Sequence, residues 1–378
     1  LVSARGGVGQ HADQILTPDD HDVGVDIVIA NELLEERARF YQHLYPECEM
    51  ICGDITNNDV YQTIINEARR QHVEFLMATP PCQGMSIAGK MDPLDERNQL
   101  TYYAVLMIKK LKPKFVFLEN VPQLLTTKIK VNDELLLIPD YIRKELGSLY
   151  NFANQCIVSA KDYDVPQMRK RNIFLLTRKD MNFVWQMPEP KKQITLKEAI
   201  GYLPSVDPLL KEGLEETIKL FPDFEEKRQK ALSISKFHYP PKHAKKHVIA
   251  MMHTPSGHTA FDNPVYYPKK DNGERVNGHY NTYRRLAWDK PSRTMTQNCG
   301  VISSLACVHP GRKYQKNGEV LYSDPRCFTL LELFIVTSLP KDWNVPNWAD
   351  EKMIRKVIGE GIPPMLVKNI MLNLINYL

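Results

Sequence analysis

A cysteine directly after two prolines is the most reactive feature of this sequence. The thiol of Cys82 lies in the segment Thr79–Ser86, which follows the short apolar run Phe75–Ala78. Proline fixes φ and donates no hydrogen bond, so the two prolines hold Cys82 on a rigid backbone. A thiolate is a strong nucleophile even at a small population. A cysteine taken at random is usually inert, but this setting predicts a nucleophile.

A carboxylate and two arginines provide further chemistry. Glu119 follows the apolar run Phe115–Leu118. This position can raise the pKa of a carboxyl group, so that it holds or donates a proton. Arg169 and Arg171 precede another apolar run, and their alternate spacing puts them on one side of an extended chain. Such a pair suits a phosphate and a carbonyl oxygen held side by side.

Glycines and carboxylates follow the first three predicted strands, the first of which ends just before Arg5. The segment Arg5–Gly9 is a glycine-rich turn that lets the backbone approach a ligand. Glu32 is placed to bind ribose hydroxyls, and Asp54 can accept from an adenine amine or amide. Together they describe a nucleoside site, although each carboxylate alone is more often a helix cap or a surface charge.

The elements that must position these groups alternate between short apolar runs and helical patterns. The predicted strands are Val23–Ala30, Met50–Cys52, Phe75–Ala78, Phe115–Leu118, Gln155–Ser159 and Ile173–Thr177. The predicted helices between them are Leu33–Leu44, Val60–Arg70, Leu100–Leu111 and Asp140–Leu149. This alternation predicts a doubly wound α/β sheet, in which ligands bind at the carboxyl ends of the strands.

The pattern changes after about residue 180. Prolines become frequent, one or two charged helices are predicted within Leu209–Leu232, and irregular Gly, Pro and Asn positions follow. This is typical of a small, irregular β-rich domain. Regular helices return at Thr329–Ser338, Glu351–Ile358 and Pro364–Tyr377.

Composition places the chain among ordinary globular proteins. Its 378 residues are 43% hydrophobic and 25% charged, which predicts two or three structural units. No apolar run approaches the ~20 residues of a membrane helix, and the first residues do not resemble a signal peptide. The first residue is not Met, so we expect the natural chain to begin earlier. The seven cysteines form no Cys-x-x-Cys pair, which predicts a reducing compartment and no metal site.

Positive charge is concentrated in residues 236–320, which we call the basic segment. It holds 14 Lys and Arg against 5 Asp and Glu, whereas the whole chain has a net charge of only +4. A bare charge excess is usually a solvated surface. Here the basic residues alternate with Tyr266, Tyr267, Tyr280, Tyr283 and Trp288. That mixture favours a nucleic-acid surface.

The motifs together resemble those of the cytosine-5 DNA methyltransferases of bacterial restriction–modification type, which use S-adenosylmethionine. The matching segments are Ser3–Gly9, Asn31-Glu32, Gly53–Ile55, Pro80–Gln83, Asp95–Leu100, Glu119–Val121, Gln167–Arg171, Arg326–Glu332 and Ile358–Pro364. Pro-Pro-Cys-Gln, Glu-Asn-Val and Gln-x-Arg-x-Arg in this order are highly specific. The sequence departs from the family at Val2, Ala4 and Glu360, where Phe, Gly and Asn are usual.

The resemblance implies a role for each catalytic residue. Cys82 would add to carbon 6 of cytosine, which turns the ring into an enamine that can attack a methyl sulfonium. Glu119 would keep ring nitrogen 3 protonated, Arg171 would contact the carbonyl oxygen of the base, and Arg169 would contact a backbone phosphate. The base must leave the duplex for this chemistry, so base flipping is implied.

The resemblance also implies binding residues. Those for S-adenosylmethionine, with S-adenosylhomocysteine as product, are Ser3, Gly6, Gly7, Glu32, Asp54, Ile55, Pro80, Leu100 and Glu360. Those for DNA are Gln83, Ser86, Arg97 and Gln167, and the charge pattern adds Arg284, Arg285 and Arg293. The loop Gln83–Asn98 is similar to the family's mobile loop that closes over DNA.

The implied organisation has three parts. Residues 1–180 would form the Rossmann-like, S-adenosylmethionine-binding catalytic domain, and 181–322 the basic, irregular β-rich target-recognition domain. Residues 323–378 would be helices that return to the catalytic domain. We expect a bacterial cytoplasmic enzyme that is a monomer on double-stranded DNA and does not bind membranes. A cognate endonuclease would be a functional partner and not a physical one.

Three alternatives remain for this sequence. A catalytically silent DNA-binding relative would usually lack the nucleophile, whereas Cys82, Glu119 and Arg171 are all present. A methyltransferase that acts on tRNA would share the same chemistry, although the basic domain is larger than a minimal RNA-directed relative needs. A nicotinamide dehydrogenase would carry Gly-x-Gly-x-x-Gly at the first turn, and this sequence does not.

Overall fold

The computed structural model describes residues 2–6, 25–81, 99–131, 134–270 and 272–375. The chain divides into two compact units. Unit 1 comprises residues 1–159, 170–190 and 367–378, and unit 2 comprises residues 160–169 and 191–366. In the described ranges, no helix is both long enough and apolar enough to cross a membrane.

The strands and helices have the following bounds. The strands are β1 (Val2–Gly6), β2 (Val25–Glu32), β3 (Glu49–Cys52), β4 (Phe75–Ala78), β5 (Phe115–Asn120), β6 (Lys128–Val131), β7 (Glu134–Leu137), β8 (Tyr150–Phe152), β9 (Ile157–Ser159), β10 (Gln167–Met168), β11 (Lys170–Arg178), β12 (Leu209–Leu210), β13 (Lys242–His243), β14 (Ser292–Arg293), β15 (Lys313–Lys316) and β16 (Glu319–Tyr322). The helices are α1 (Glu35–Leu44), α2 (Asn58–Arg70), α3 (Gln99–Leu111), α4 (Ile138–Leu146), α5 (Leu196–Ile200), α6 (Leu214–Leu220), α7 (Phe224–Ile234), α8 (Lys245–Met252), α9 (Leu330–Val336), α10 (Glu351–Glu360) and α11 (Pro364–Ile375).

The main sheet of unit 1 has the strand order β3-β2-β1-β4-β5-β11-β8, and β9 also pairs with β11. Strands β2 and β3 are parallel, as are β4 and β5. Strand β1 is antiparallel to both of its neighbours, and β11 is antiparallel to β5. The carboxyl ends of β2 to β5 therefore share one sheet edge with the amino end of β11, and we call it the site edge. This architecture confirms the predicted open α/β sheet.

Strand β5 shows that both faces of the sheet are covered. All six of its residues are buried. Val116 and Leu118 belong to one core cluster with residues of α2, α3 and α4. Phe115 and Phe117, which alternate with them, pack against the ring of Trp185, whose Nε1 donates to the carbonyl of Ile370 at 3.1 Å. Near-continuous burial of a strand is typical of a sheet covered on both faces.

Helix α2 illustrates how local sequence builds this layer. The side chain of Asn57 caps the helix by accepting from the backbone N–H groups of Asp59 and Val60. Its buried residues are Tyr61, Ile64, Ile65 and Ala68, which recur at the helical spacing. The predicted helix 60–70 is therefore confirmed, and the cap extends its start to Asn58.

Unit 2 is irregular, with short paired segments and buried charges. It contains the two-stranded pairs β10-β14, β12-β13 and β15-β16. Arg326 is fully buried, and its guanidinium donates to Glu332 Oε2 at 2.7 Å and to Asp324 Oδ1 at 3.0 Å. Thr329 and Glu332 form a capping box at the start of α9. These contacts hold 324–332 inside unit 2.

The division of the chain differs from the predicted segments in two places. Helices α9 and α10 belong to unit 2, and only residues 367–378 of the predicted returning segment belong to unit 1. Residues 160–169 also belong to unit 2. Arg326 holds the first of these segments in unit 2, with the carbonyl of Val206 at 2.7 Å among its partners, and Arg169 holds the second through the carbonyls of Met295 and Gly359.

Candidate active site

A buried ion pair joins two of the predicted catalytic residues at the site edge. The Nε of Arg171 lies 2.6 Å from Oε1 of Glu119, and both side chains are about 10% exposed. Glu119 lies near the end of β5 and Arg171 near the start of β11, and the two strands pair with Glu119 opposite Ile173. The Nη1 of Arg171 also donates to the carbonyl of Lys170 at 2.8 Å. The structure thus brings an acid and a fork-shaped donor together.

Asn120 connects this pair to the backbone that leads to Cys82, the predicted nucleophile. Its Nδ2 donates to the carbonyl of Pro80 at 3.0 Å, and its Oδ1 accepts from the backbone of Val121 at 2.8 Å. The side chain is 2% exposed. Pro80 precedes Cys82 by two residues, so Asn120 fixes the backbone just before the thiol. No role was predicted for Asn120 from the sequence, although it lies inside the Glu-Asn-Val motif.

Five of the predicted site residues lie outside the described residues. They are Gly7, Cys82, Gln83, Ser86 and Arg97.

The ends of β2 and β3 place two predicted cofactor-binding carboxylates on neighbouring strands. The Nδ2 of Asn31 donates to the carbonyls of Ile51 and Gly53 at 2.9 and 3.0 Å, which clamps the two ends together. Oε1 of Glu32 accepts from the backbone of Leu34 at 3.0 Å. Oδ1 of Asp54, which is exposed, accepts from the backbone of Thr56 at 2.8 Å. These hydrogen bonds hold both carboxylates at the site edge.

Apolar side chains accompany the two carboxylates. Ile55 is partly buried against the core of unit 1, and Leu33 is 59% exposed directly after Glu32. Carboxylate acceptors beside apolar surface fit a nucleoside, whose ribose offers hydroxyl donors and whose base offers an apolar face. Leu33 is a residue that our sequence analysis did not assign. Leu100, near the start of α3, is half-buried.

Strand β1 places part of the predicted glycine turn away from the site edge. Gly6 pairs with Val25 at the start of β2, whereas Ser3 pairs with Ile29 nearer its end. We expected the turn after the first strand to lie at the ligand-binding edge. The antiparallel direction of β1 puts Gly6 at the opposite edge.

Gln167 and Arg169 do not have the exposed placement that we predicted for contacts with DNA. The amide of Gln167 donates to the carbonyl of Val336 and accepts from the backbone of Met295, at 3.3 and 3.2 Å. The guanidinium of Arg169 donates to the carbonyls of Met295, Gly359 and Glu360 at 2.9 to 3.2 Å. Both side chains are buried within unit 2, so we correct their predicted role to one of holding that unit's backbone.

Arg285 is a second correction. It is fully buried, and its guanidinium donates to the carbonyls of Met251, Tyr322, His309 and Asp324 at 2.7 to 3.2 Å. Burial lowers the pKa of Arg285 to about 9. A side chain surrounded in this way does not reach DNA.

Arg284, Arg293 and Glu360 are more accessible. Arg284 donates to the carbonyl of Gly257 at 2.6 Å, and Arg293 donates to Oδ1 of Asn281 at 2.6 Å. Glu360 ends α10, and its carboxylate accepts from the side chain of Gln297 at 2.5 Å. In the described part of the chain, no group of three or more His, Cys, Asp or Glu residues is arranged to hold a metal ion.

Comparisons with known proteins place these features in a family. The family model for C-5 cytosine-specific DNA methylases matches residues 21–376. The Type II methyltransferase M1.HgaI of Avibacterium volantium is 40% identical over 359 residues, which cover 94% of this chain and 93% of that protein.

Solved structures share the fold at low sequence identity. One is described as a DNA modification methyltransferase encoded within an E. coli prophage, with a TM-score of 0.60, 19% identity, and coverage of 93% of this chain and 92% of that one. Another is the Spodoptera frugiperda DNMT2, with a TM-score of 0.53, 15% identity, and coverage of 91% and 92%. From the family match and the full-length relative together, the chain belongs to the C-5 cytosine-specific DNA methylase family.

Proposed function

We propose that this DNA (cytosine-5-)-methyltransferase acts on a flipped-out cytosine of a specific double-stranded sequence, through a covalent Cys82 adduct at carbon 6. The observation that carries the proposal is the buried pair of Glu119 and Arg171 at the site edge, where Asn120 holds the backbone of Pro80. The carboxylate of Glu119, the guanidinium of Arg171 and the backbone two residues before Cys82 lie at this edge. The proposed reaction uses an acid, a donor and a thiol.

Cys82, Glu119 and Arg171 each help cytosine, whose carbon 5 is a poor nucleophile, to react. Carbon 5 reacts poorly until the Cys82 thiolate adds at carbon 6, which makes the ring an enamine. Glu119 keeps ring nitrogen 3 protonated, so the charge created by addition is neutralised. Arg171 donates to the carbonyl oxygen of the base and also fixes Glu119. After methylation, loss of the carbon 5 proton and elimination of the thiolate restore the aromatic ring.

The strand ends of β2 and β3 fit the cofactor. S-adenosylmethionine, when bound, supplies an electrophilic methyl group. Glu32 binds the ribose hydroxyls, and Asp54 binds the adenine end. Ile55 and Leu33 offer apolar surface to the base. Asn31 serves this site indirectly by holding the two strand ends at a constant separation.

Unit 2 supplies the proposed contacts with DNA. Arg284 and Arg293 remain candidates, because both are half-buried and not enclosed as Arg285 is. We further propose that the enzyme works as a monomer on DNA in the bacterial cytoplasm. In this proposal a cognate endonuclease is a functional partner only.

Incubation with labelled S-adenosylmethionine and duplex DNA, followed by base-resolution mapping of modified cytosines, tests this function. We expect methylation of one defined sequence, and no labelling of tRNA added in a parallel reaction. Labelling of tRNA alone, or of neither nucleic acid, would contradict the proposal.

The nucleophile has its own test. Cys82→Ser should abolish methyl transfer and leave binding of S-adenosylmethionine largely intact, because the hydroxyl is a far weaker nucleophile. Methyl-transfer rates and calorimetric cofactor binding are measured on the same preparation. Full activity of this variant would refute the assignment, and Cys48→Ser, which changes a cysteine just before β3 at the opposite edge of the sheet, controls for the substitution itself.

A further inference from the structure

Within the basic segment, one exposed arginine is held by two aromatic rings. The guanidinium carbon of Arg275 lies 5.8 Å from the ring centre of Phe261 and 5.1 Å from that of Tyr267. Its Nη2 also donates to the carbonyl of Phe261. We call Phe261, Tyr267 and Arg275 the arginine–aromatic platform. Stacking and this hydrogen bond restrict a side chain that would otherwise sample many rotamers.

The platform combines a hairpin with a ring that packs against a buried residue of unit 2. Lys269 and Arg275 pair across the hairpin, and the backbone of Val276 donates to the carbonyl of Pro268 at 3.0 Å. The ring of Phe261 packs edge-on against Tyr283, which is buried, with their centres 5.7 Å apart. Phe261 is therefore anchored on a buried residue, whereas Arg275 is exposed.

Gly278 shows how closely the platform is packed. A Cβ atom at this position would overlap the ring of Phe261. The backbone of Gly278 thus lies directly against the ring that holds Arg275. Any side chain at residue 278 would move Phe261 and disturb the arginine without removing it.

The charges around the platform make it attractive to an anionic partner. Lys269 lies 4.9 Å from the ring centre of Tyr267, so this ring has two cations over it. Lys270 is paired with Glu274 at 2.9 Å. For Arg275, the structure gives two ring contacts and one hydrogen bond among the residues that it describes.

We propose that Arg275 is a specificity-determining residue that reads a guanine in the target sequence. A guanidinium can donate two hydrogen bonds to O6 and N7 of guanine, which is the commonest specific contact to a base. A side chain already held in place loses little entropy on binding. The inference rests on the proposed function, because it needs a sequence-specific DNA substrate.

The test compares variants of the full chain on a library of duplexes with randomised sequence. Methylated cytosines are mapped at base resolution, and kcat/KM is measured on the best duplex and on its single-base variants. With Arg275→Ala, kcat/KM on the best duplex should fall roughly 10- to 100-fold, and the preference at one G·C pair should disappear. Arg275→Lys keeps the charge but loses the planar fork and its fixed position over the two rings, so it should weaken the same preference.

Lys270→Ala is the matched control on the same hairpin. It removes a positive charge without altering a residue of the platform, so it should change kcat/KM on all duplexes by a similar factor. If Arg275→Ala and Arg275→Lys also change kcat/KM by the same factor on all duplexes, or leave it unchanged on all of them, the inference is wrong. If Arg275→Ala fails to fold, as judged by thermal unfolding, Arg275→Lys decides alone.

Gly278→Ala tests the restraint on the arginine. It leaves Arg275 in the chain but displaces Phe261, and it should weaken the preference at the same base pair. A change at a different base pair would contradict the role of the platform. If the unaltered chain methylates no DNA, the proposed function itself fails, and that result is distinct from unchanged specificity in the variants.

Discussion

Glu119 and Arg171 form a pair whose strength comes from its surroundings. Two opposite charges 2.6 Å apart and about 10% exposed interact more strongly than a solvated pair. Removing one partner leaves the other charge buried without its counter-ion. At the residue scale this pair is therefore expected to serve both the structure of the site edge and its chemistry.

We expect Glu119→Gln to lower the rate of methyl transfer by roughly 10²-fold or more, because an amide cannot hold the proton at ring nitrogen 3. Single-turnover methylation with saturating cofactor measures the effect. Glu145→Gln is the control, since its carboxylate pairs with Lys109 at a partly exposed site of the same unit. A rate within about threefold of the unaltered chain would remove Glu119 from the mechanism.

Asn120→Ala should lower kcat more than it raises KM for either substrate. The substitution removes the hydrogen bond to Pro80 and frees the backbone before Cys82, while no group that contacts a substrate is lost. We expect roughly a tenfold decrease in the rate of covalent adduct formation with duplex DNA. Stopped-flow or quench measurements of the adduct follow this step.

Thr177→Val provides the comparison for stability. Thr177 is buried in the same sheet, accepts from the backbone of Trp185 at 2.8 Å, and pairs with Phe115 at the far end of β5 from Asn120. It should lose stability comparably and keep its adduct rate. Equal loss of that rate in both variants would mean that Asn120 acts only through stability.

At the scale of elements, Asp324 and Arg326 between β16 and α9 form a buried charge cluster with Glu332 of α9 and with His309. Burial alone would raise the pKa of Glu332, but Arg326 and His309 outweigh it and lower the pKa to about 2. Burial lowers the pKa of His309 to about 4, although Asp324 and Glu332 oppose that shift. His309 Nδ1 accepts from the backbone of Gly311 at 3.1 Å, which fits a neutral imidazole.

Both shifts predict that acid destabilises the fold. Between pH 6.5 and about 4 the unfolded chain binds a proton at His309 that the folded chain does not, so stability falls as the pH falls through this range. Glu332 continues the trend, since its contribution is present above its unfolded pKa and is lost towards about pH 2. Protonation of His309 alone lowers the free energy of unfolding by on the order of 3 kcal/mol as the pH falls through this range.

Thermal unfolding followed by circular dichroism from pH 7.5 to 4 measures this loss. His309→Gln should flatten the dependence between pH 6.5 and 4, whereas His258→Gln, which removes an exposed imidazole of the same unit, should not. Equal slopes for the two variants would show that His309 is not the group responsible.

At the scale of the whole molecule, opposite charges are segregated along the chain. The basic segment carries a local excess of positive charge, and the remainder of the sequence has more acidic than basic residues. Binding to duplex DNA that releases counterions depends steeply on salt. We expect the affinity to fall at least about tenfold between 50 and 200 mM salt, measured by fluorescence anisotropy. A flat response would indicate that the basic segment does not contact phosphates.

Cofactor binding serves as the reference in the same titration. The proposed site at β2 and β3 uses carboxylates and apolar side chains, with no phosphate to neutralise. Its affinity for S-adenosylmethionine should therefore change little over the same salt range. A parallel loss of both affinities would point to a general effect of salt on the fold.

Much of unit 1 follows from local sequence. The strands 75–78 and 115–118 and the helices 60–70 and 100–111 agree with the structure, because apolar periodicity over a few residues decides such elements. The predicted helical stretch 209–232 is two helices, α6 and α7, with Pro222 between them, where proline removes a helical donor. The hairpin β6-β7 was missed, since each of its strands has only four residues, which is too short to show a clear period.

The sequence by itself determined the chemical groups and the family, because motifs such as Pro-Pro-Cys-Gln and Glu-Asn-Val are local and specific in their order. Only the tertiary structure decided which arginines are accessible. Arg275 and Arg285 are the same residue type in one basic segment, but Arg275 is exposed over two half-buried rings and Arg285 is enclosed by backbone carbonyls. Burial is set by contacts between residues far apart in the chain, and residue type and spacing do not contain that information.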